Sequence, residues 1–353
     1  MWRWLLGVMA CWAWAGCDDG VGGADGDASA DTSADTDADT DASVDTSADT
    51  NTDTDTDASA DTDASGGPRP VQVVVFTHIE DQTPGGPLGS PQSRTTYSGL
   101  RARLIEVAER AHDEGVRWVL QPDWKFLEAA RLYEDAAMTA DTSGDNLFVH
   151  LRDVLGVAID PHSHENGGYN YTDVAWLLEE LGVGGSTVIG GHIWDPSLPQ
   201  FQGWDRFREP LVGEKYPEAS WRGDILIGSG TPNHVNDPLV SGVWRPRDRD
   251  HYFEDDPAGN IVCVGAWHDG VPGVEALVAA RDAGQTPAGA FLTASWNVTP
   301  TEILAADGPA TIATHIFRPL AALQAAGAIE TTDFTTLVSR WREAGGIATI
   351  YQP

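Results

Sequence analysis

The chain has 353 residues, a formal net charge of -33 and three cysteines. So acidic a chain would be repelled by a phosphate backbone, which argues against nucleic acid as a partner. Beyond the N-terminus, no apolar run reaches the about 20 residues needed to cross a bilayer. Length and composition therefore predict one large folded domain over residues 68–353.

The first 16 residues predict a signal for export. They carry one positive charge, Arg3, and then an apolar run that is shorter than the about 20 residues of a membrane span. The run ends in Trp14-Ala15-Gly16-Cys17, which resembles a bacterial lipobox. We therefore expect residues 1–16 to be a lipoprotein signal peptide and Cys17 to be lipidated, so that the lipid alone anchors an exported protein at the bacterial cell envelope. The alternative is an ordinary secretory signal with an incidental cysteine.

Residues 17–67 predict an acidic, disordered linker. Between Asp18 and Pro68 there are 16 aspartates and no lysine or arginine, and most other residues are threonine, alanine, serine or glycine. Such a segment cannot bury enough apolar area to offset the entropy lost on folding, and its charges repel each other. Coil statistics give it a reach of about 40 Å, so it would act as a tether.

The remaining residues alternate between predicted strands and predicted helices. Strands are predicted at residues 71–76, 116–120, 157–159, 186–189, 224–227, 261–265 and 289–293, with an eighth candidate at 311–314 and a closing strand at 347–351. Helices are predicted at 97–114, 126–138, 146–155, 171–181 and 334–344. Repeated β-α units of this size indicate an α/β fold, either a parallel barrel or an open doubly wound sheet. Polar residues follow several strands, which favours a (β/α)7-8 barrel with its site at the C-terminal face.

Groups that bind metals follow two of the predicted strands. His78, Glu80 and Asp81 follow the first strand, and His162 and His164 follow the third. Alternate residues of an extended segment point to one side, so His162 and His164 can converge on one ion. Two imidazoles and one carboxylate are a common zinc set that leaves a position for water. The sequence therefore predicts a divalent metal, with zinc expected, and a second carboxylate that accepts a proton from the water.

The order of these motifs resembles that of the polysaccharide deacetylase family, the chitin- and peptidoglycan-deacetylase-like proteins. That family has a distorted seven-stranded α/β barrel and a divalent metal, often zinc. Thr77-His78-Ile79-Glu80-Asp81 looks similar to its first motif, which implies Glu80 as the catalytic base and Asp81 as a metal ligand. Its histidine motif implies His162 and His164 as the other ligands.

Later segments extend the resemblance. Arg245-Pro246 is similar to a family motif whose arginine orients the catalytic acid, and the segment that ends at His315 implies His315 as the general acid. Trp296 is implied to line the acetyl pocket. The family has an aspartate where Glu80 stands, and its two histidines are four residues apart. His78 could therefore replace either histidine ligand, and His234 could complete the site from another loop.

The sequence thus predicts a metal-dependent hydrolase that removes acetyl groups from an extracytoplasmic polysaccharide, so that a carbohydrate polymer is the expected partner. The first alternative is a surface lipoprotein that binds glycans on the same barrel without turning them over. The second is a metal hydrolase of other substrates, such as an esterase or an amidase.

Overall fold

The computed structural model describes residues 68–192, 203–227, 239–267 and 270–352. The predicted signal peptide, the lipidation site Cys17, the linker and His234 lie outside these residues. Among the described residues, no helix combines the length and the apolar character that a membrane span requires.

The described residues form a mixed α/β fold. The strands are β1 (Val71–Ile79), β2 (Trp118–Pro122), β3 (Ala158–Ile159), β4 (Val188–Ile189), β5 (Leu211–Val212), β6 (Ser220–Trp221), β7 (Ile225–Ile227), β8 (Val243–Trp244), β9 (Val262–Val264), β10 (Thr293–Asn297) and β11 (Ile329–Thr331). The helices are α1 (Pro91–Asp113), α2 (Trp124–Tyr133), α3 (Leu147–Asp153), α4 (Tyr171–Glu180), α5 (Gly270–Asp282), α6 (Pro300–Leu304), α7 (Gly308–Ile312), α8 (Arg318–Ala325) and α9 (Phe334–Glu343). The α/β class that the sequence predicts is confirmed.

Two sheets contain most of the strands. In the first, the order is β10-β1-β2-β3, β11 also pairs with β1, and all pairs are parallel. In the second, the order is β4-β7-β9-β8, and only β8 runs antiparallel to its neighbour. Strands β5 and β6 form a separate antiparallel pair.

Strand β1 is buried over its whole length and separates two cores. Val73 and Val75 belong to the core that the flanking helices cover, whereas Val74 and Phe76 pack with residues of α9 and of the second sheet. A strand buried on both faces is expected to be a continuous apolar run, as this one is. Because alternate residues point to opposite faces, His78 continues the face of Phe76, and the two rings lie 4.8 Å apart.

Hydrogen bonds connect the two sheets at two places. His162, just beyond β3, forms a parallel bridge with Gly190, just beyond β4. On the other side, the backbone N–H of Ser295 in β10 donates to the carbonyl oxygen of Trp267, which follows β9, at 3.1 Å. The C-terminal ends of β3 and β4 therefore lie side by side.

Several predicted elements differ from the structure. The strand predicted at 311–314 is wrong, because these residues belong to α7 and the helical turn after it. Its β-branched residues favour a strand, but Pro309 in the first turn has the backbone angle of a helix start. The closing strand at 347–351 is also wrong: Tyr351 makes a single bridge to Ser241, and Ile347 is 76% exposed. Helices α5 to α8 were not predicted.

Candidate metal centre

Three imidazoles and two carboxylates meet where β1 and β3 end. The Nε2 atom of His162 lies 3.3 Å from Oε2 of Glu80, and Nδ1 of His164 lies 3.3 Å from the same oxygen. Potential ligand atoms of His78, Glu80 and His162 lie within 4.8 Å of one another, as do those of Glu80, Asp81 and His164. The structure thus brings together the predicted residues from both strand ends, with Glu80 in the middle.

This arrangement fits a divalent cation. Two ligand atoms bound to one tetrahedral zinc ion at 2.0–2.1 Å are about 3.4 Å apart, close to both distances from Glu80. Among the described residues, Nε2 of His78 and Nδ1 of His162 are buried without a hydrogen-bond partner. A buried polar atom without a partner is costly, and a bound cation would remove that cost for His78.

The charges of the centre also suit a cation. Burial, followed by the charge of His162, lowers the pKa of His78 well below its ordinary value, so this imidazole is neutral. Burial alone would raise the pKa of Glu80, but the hydrogen bond and charge of His162, with the charge of His164, lower it to about 2. A neutral imidazole and an ionised carboxylate are the forms that bind metals.

A glycine after β4 makes room for His162. Gly191 has a φ of +77°, and a Cβ atom there would lie 2.2 Å from Cε1 of His162. Its neighbour Gly190 forms the bridge to His162 and accepts a hydrogen bond from the hydroxyl of Tyr171 at 2.5 Å. The Gly190-Gly191 pair therefore allows the fully buried imidazole to lie against the backbone of the second sheet.

Asp81 is held by a residue that sequence reasoning did not single out. Nδ2 of Asn166 donates to Oδ2 of Asp81 at 2.7 Å, and Oδ1 of Asn166 accepts from Nε1 of Trp124 at 3.0 Å. These two hydrogen bonds link a loop beyond β3 and the first residue of α2 to the end of β1. It orients the carboxylate of Asp81 and leaves its other oxygen available to a ligand.

Sequence reasoning also missed Asp123, which follows β2. Its side chain is fully buried; Oδ1 accepts the N–H of Trp124 at 2.5 Å, and Oδ2 has no hydrogen-bond partner among the described residues. Burial raises the pKa of Asp123 to about 7, with Asp81 and Glu80 adding to the effect and His162 opposing it. The signal was a carboxylate at a strand end, but an aspartate before a helix is also a common N-cap.

The raised pKa of Asp123 predicts a pH-dependent stability. The folded protein holds this proton more tightly than the unfolded chain, so the stabilisation is complete below about pH 4 and is lost as the pH rises through about 7. For chelator-treated protein, we expect the free energy of unfolding, relative to that of Asp123→Asn, to fall by about 3 kcal/mol between pH 5 and pH 8. Urea denaturation of both proteins at the two pH values measures this, and a difference that stays constant would contradict it.

Arg245 does not lie at this centre. It follows β8, which runs antiparallel to β9 with Trp244 opposite Cys263, so Arg245 lies at the edge where β9 begins. Its Nε and one terminal nitrogen form a bidentate ion pair with Asp255, at 3.0 and 2.6 Å, and its guanidinium lies over the ring of Trp341. These contacts give Arg245 a structural role at the opposite edge of the sheet.

The structure does not bring His315 to the centre either. The late strand expected before it is helical, and His315 lies exposed on the helical turn at Ala313–Phe317. That turn packs against α1, α5 and α8. A residue on the helical layer is not placed to protonate a leaving group at the strand ends.

Trp296 lies on the face of β10 that packs beneath the helices. It pairs with Val75 and belongs to the core beneath the helices, where it is 8% exposed. The next residue, Asn297, pairs with Phe76, and its Oδ1 accepts the backbone N–H of His78 at 3.1 Å. The structure therefore places Asn297, and not Trp296, next to the residues that end β1.

No family model matches the chain, and no curated protein matches it. The centre itself consists of a carboxylate shared by two imidazoles, a second oriented carboxylate, and a buried acid beside them.

Proposed function

We propose that the chain is a metal-dependent hydrolase that removes acetyl groups from an extracytoplasmic polysaccharide, with zinc as the expected ion. The observation that supports it most is the contact of one Glu80 oxygen with ring nitrogens of both His162 and His164. The substrate class comes from the resemblance in motif order and from the predicted export of the protein. The hydrolytic chemistry comes from the centre itself.

We further propose that the two sheets form one closed, distorted barrel. The bridge of His162 with Gly190 and the hydrogen bond of Ser295 with Trp267 support a strand order of β1-β2-β3-β4-β7-β9-β10 that returns to β1. In such a barrel the C-terminal strand ends surround one mouth, which is where barrel enzymes have their active sites. The metal centre would then lie at that mouth.

The residues of the centre divide into ligands and a proton acceptor. The Glu80 carboxylate, together with His78 and His162 or with Asp81 and His164, would hold an ion, which when bound lowers the pKa of water and polarises a carbonyl group. The resemblance implies Glu80 as base, but a carboxylate between two imidazoles, ionised at all ordinary pH values, is better suited to binding a cation. Asp123 has a buried oxygen without a partner, and we assign to it the acceptance of the proton that hydrolysis releases.

Protonated Asp123 can return its proton to the leaving group. One residue then serves as base and acid in turn, and neither Arg245 nor His315 is needed. Burial keeps bulk water from Asp123, so the proton it accepts is retained until the leaving group takes it. Asn166 keeps Asp81 oriented throughout.

Acetate release from acetylated glycans tests the proposal. Full-length protein, stripped with a chelator and reloaded with zinc, is incubated with acetylated chitin oligosaccharides, peptidoglycan and acetylated xylan. We expect release from at least one substrate only after reloading, and in His162→Ala we expect no release and a lower zinc content than in the wild type. His112→Gln, which changes an exposed histidine on α1, serves as the control.

Two other outcomes would replace the proposal. Glycan binding by a protein that holds no metal and releases no acetate would favour a non-catalytic glycan-binding lipoprotein. Zinc-dependent hydrolysis of simple esters or amides, with no release from any glycan, would favour a hydrolase of other substrates.

A further inference from the structure

We propose that the centre holds two divalent cations that share Glu80. One cation would be bound by His78 and His162, and the other by Asp81 and His164, with the Glu80 carboxylate between them. This inference rests on the proposed metal-dependent function and extends it from one ion to two. A pair of metal ions, about 3.5–4 Å apart, is a recurring arrangement in hydrolytic enzymes.

The ligand groups separate into two sets. One set contains His78, Glu80 and His162, and the other contains Glu80, Asp81 and His164, so Glu80 is the only shared member. The five groups do not all lie within 4.8 Å of one another, whereas ligand atoms on one zinc ion are at most about 4.2 Å apart, so one ion would not hold all five. Each set alone supplies three groups and leaves a position open.

The unpartnered nitrogen of His78 is the observation that one ion does not explain. A single ion bound by Asp81, His162 and His164, as the resemblance implies, leaves Nε2 of His78 buried and unsatisfied. The ring of His78 lies 4.2 Å from that of His162, centroid to centroid, and its backbone is fixed by the hydrogen bond to Asn297. A second ion between His78 and His162 would satisfy this nitrogen.

The carboxylates balance the charge of a second ion. Glu80 and Asp81 supply two negative charges, and Asp123 can supply a third, whereas His78 binds as a neutral ligand. With Asp123 ionised, three carboxylates around one divalent cation would leave a net negative charge at the centre. Two cations leave one positive charge, which suits a site where negative charge develops on a carbonyl oxygen.

Zinc stoichiometry tests the inference. The full chain is stripped with a chelator and titrated with Zn²⁺ by calorimetry, and bound zinc is counted by elemental analysis after removal of the excess. We expect two equivalents in the wild type and in the control His112→Gln. We expect one equivalent in His78→Gln and one in Asp81→Asn, and none when both substitutions are combined.

A second measurement needs no variant. When the chain is loaded with Mn²⁺, two ions that share a carboxylate should give the exchange-coupled signal of a pair in electron paramagnetic resonance. Saturation at one equivalent, or an uncoupled signal from two, would overturn the shared centre. Acetate release by protein that is saturated with a single zinc ion would overturn the two-ion centre and leave the proposed function intact. A chain that binds no zinc and releases no acetate would overturn both.

Discussion

Replacing Asp123 by asparagine is expected to lower the rate of acetate release by about 10²–10⁴-fold, the usual contribution of a general acid–base group. Asparagine keeps the side-chain oxygen that accepts the N–H of Trp124, so the N-cap of α2 survives. It cannot take up a proton. We therefore expect kcat to fall while the zinc content and the fold stay unchanged, as measured by acetate release, elemental analysis and circular dichroism.

The pH profile separates a role in proton transfer from a structural role. In the wild type, the rate should rise with pH as Asp123 ionises, and this limb should disappear in Asp123→Asn. A bound cation moves the limb below the value of about 7 found for the pKa without metal. A bound cation does not change the direction of the pH dependence.

A matched control is available in α9. Asp333 is also a buried N-cap, since its Oδ1 accepts the N–H of Thr336 at 2.7 Å. Asp333→Asn should leave kcat unchanged. If Asp123→Asn keeps the wild-type rate while Glu80→Gln keeps its zinc and loses acetate release, the base is Glu80 and the assignment of Asp123 is wrong.

Replacing Arg101 by methionine is expected to lower the free energy of unfolding by about 3–5 kcal/mol, the usual cost of removing one partner of a buried ion pair. Nε of Arg101 lies 3.3 Å from Oε1 of Glu134, and both side chains are 3% exposed. Tyr97 and the N–H of Leu147 also donate to Glu134. Without Arg101, the Glu134 carboxylate remains in the helical layer without its cation.

Urea denaturation measures the loss, and a surface pair provides the comparison. Arg94 pairs with Asp135 at 2.7 Å, but both side chains are about half exposed. Arg94→Met should cost less than about 1 kcal/mol, because exposed ion pairs are screened by solvent. If the two arginine substitutions cost the same, the buried pair contributes no more than a surface pair.

The elements of the fold that depend on local sequence patterns could be predicted. The β-branched run of β1 identifies a strand buried on both faces, and the polar residues directly after it identify its C-terminal end. The alternation in His162-Ser163-His164 likewise places two imidazoles on one side of an extended segment. Both signals depend on neighbouring residues only. The parallel order β1-β2-β3 then brings Glu80 and the two histidines to the same edge of the sheet.

Arg245, His315 and Trp296 lie away from the centre, and contacts between distant parts of the chain determine their positions. Strand direction places Arg245 at the opposite edge, and nothing near Arg245 in the sequence reveals that β8 is antiparallel. A difference of one residue separates Trp296 from Asn297, and register alone determines which of them faces the centre. Helix capping and the proposed proton transfer would give Asp123 the same sequence signal, and only its burial next to charged neighbours favours the second role.

The bridge between His162 and Gly190 has a consequence for cooperativity. The same residue carries a proposed metal ligand on its side chain and a connection between two sheets on its backbone. The free energy of cation binding would therefore add to the stability of that connection, because a ligand that binds only the native state stabilises it. Removal of the cation by a chelator should weaken the connection between the two sheets before either sheet unfolds. Hydrogen exchange at the amides near Gly190 should therefore accelerate first.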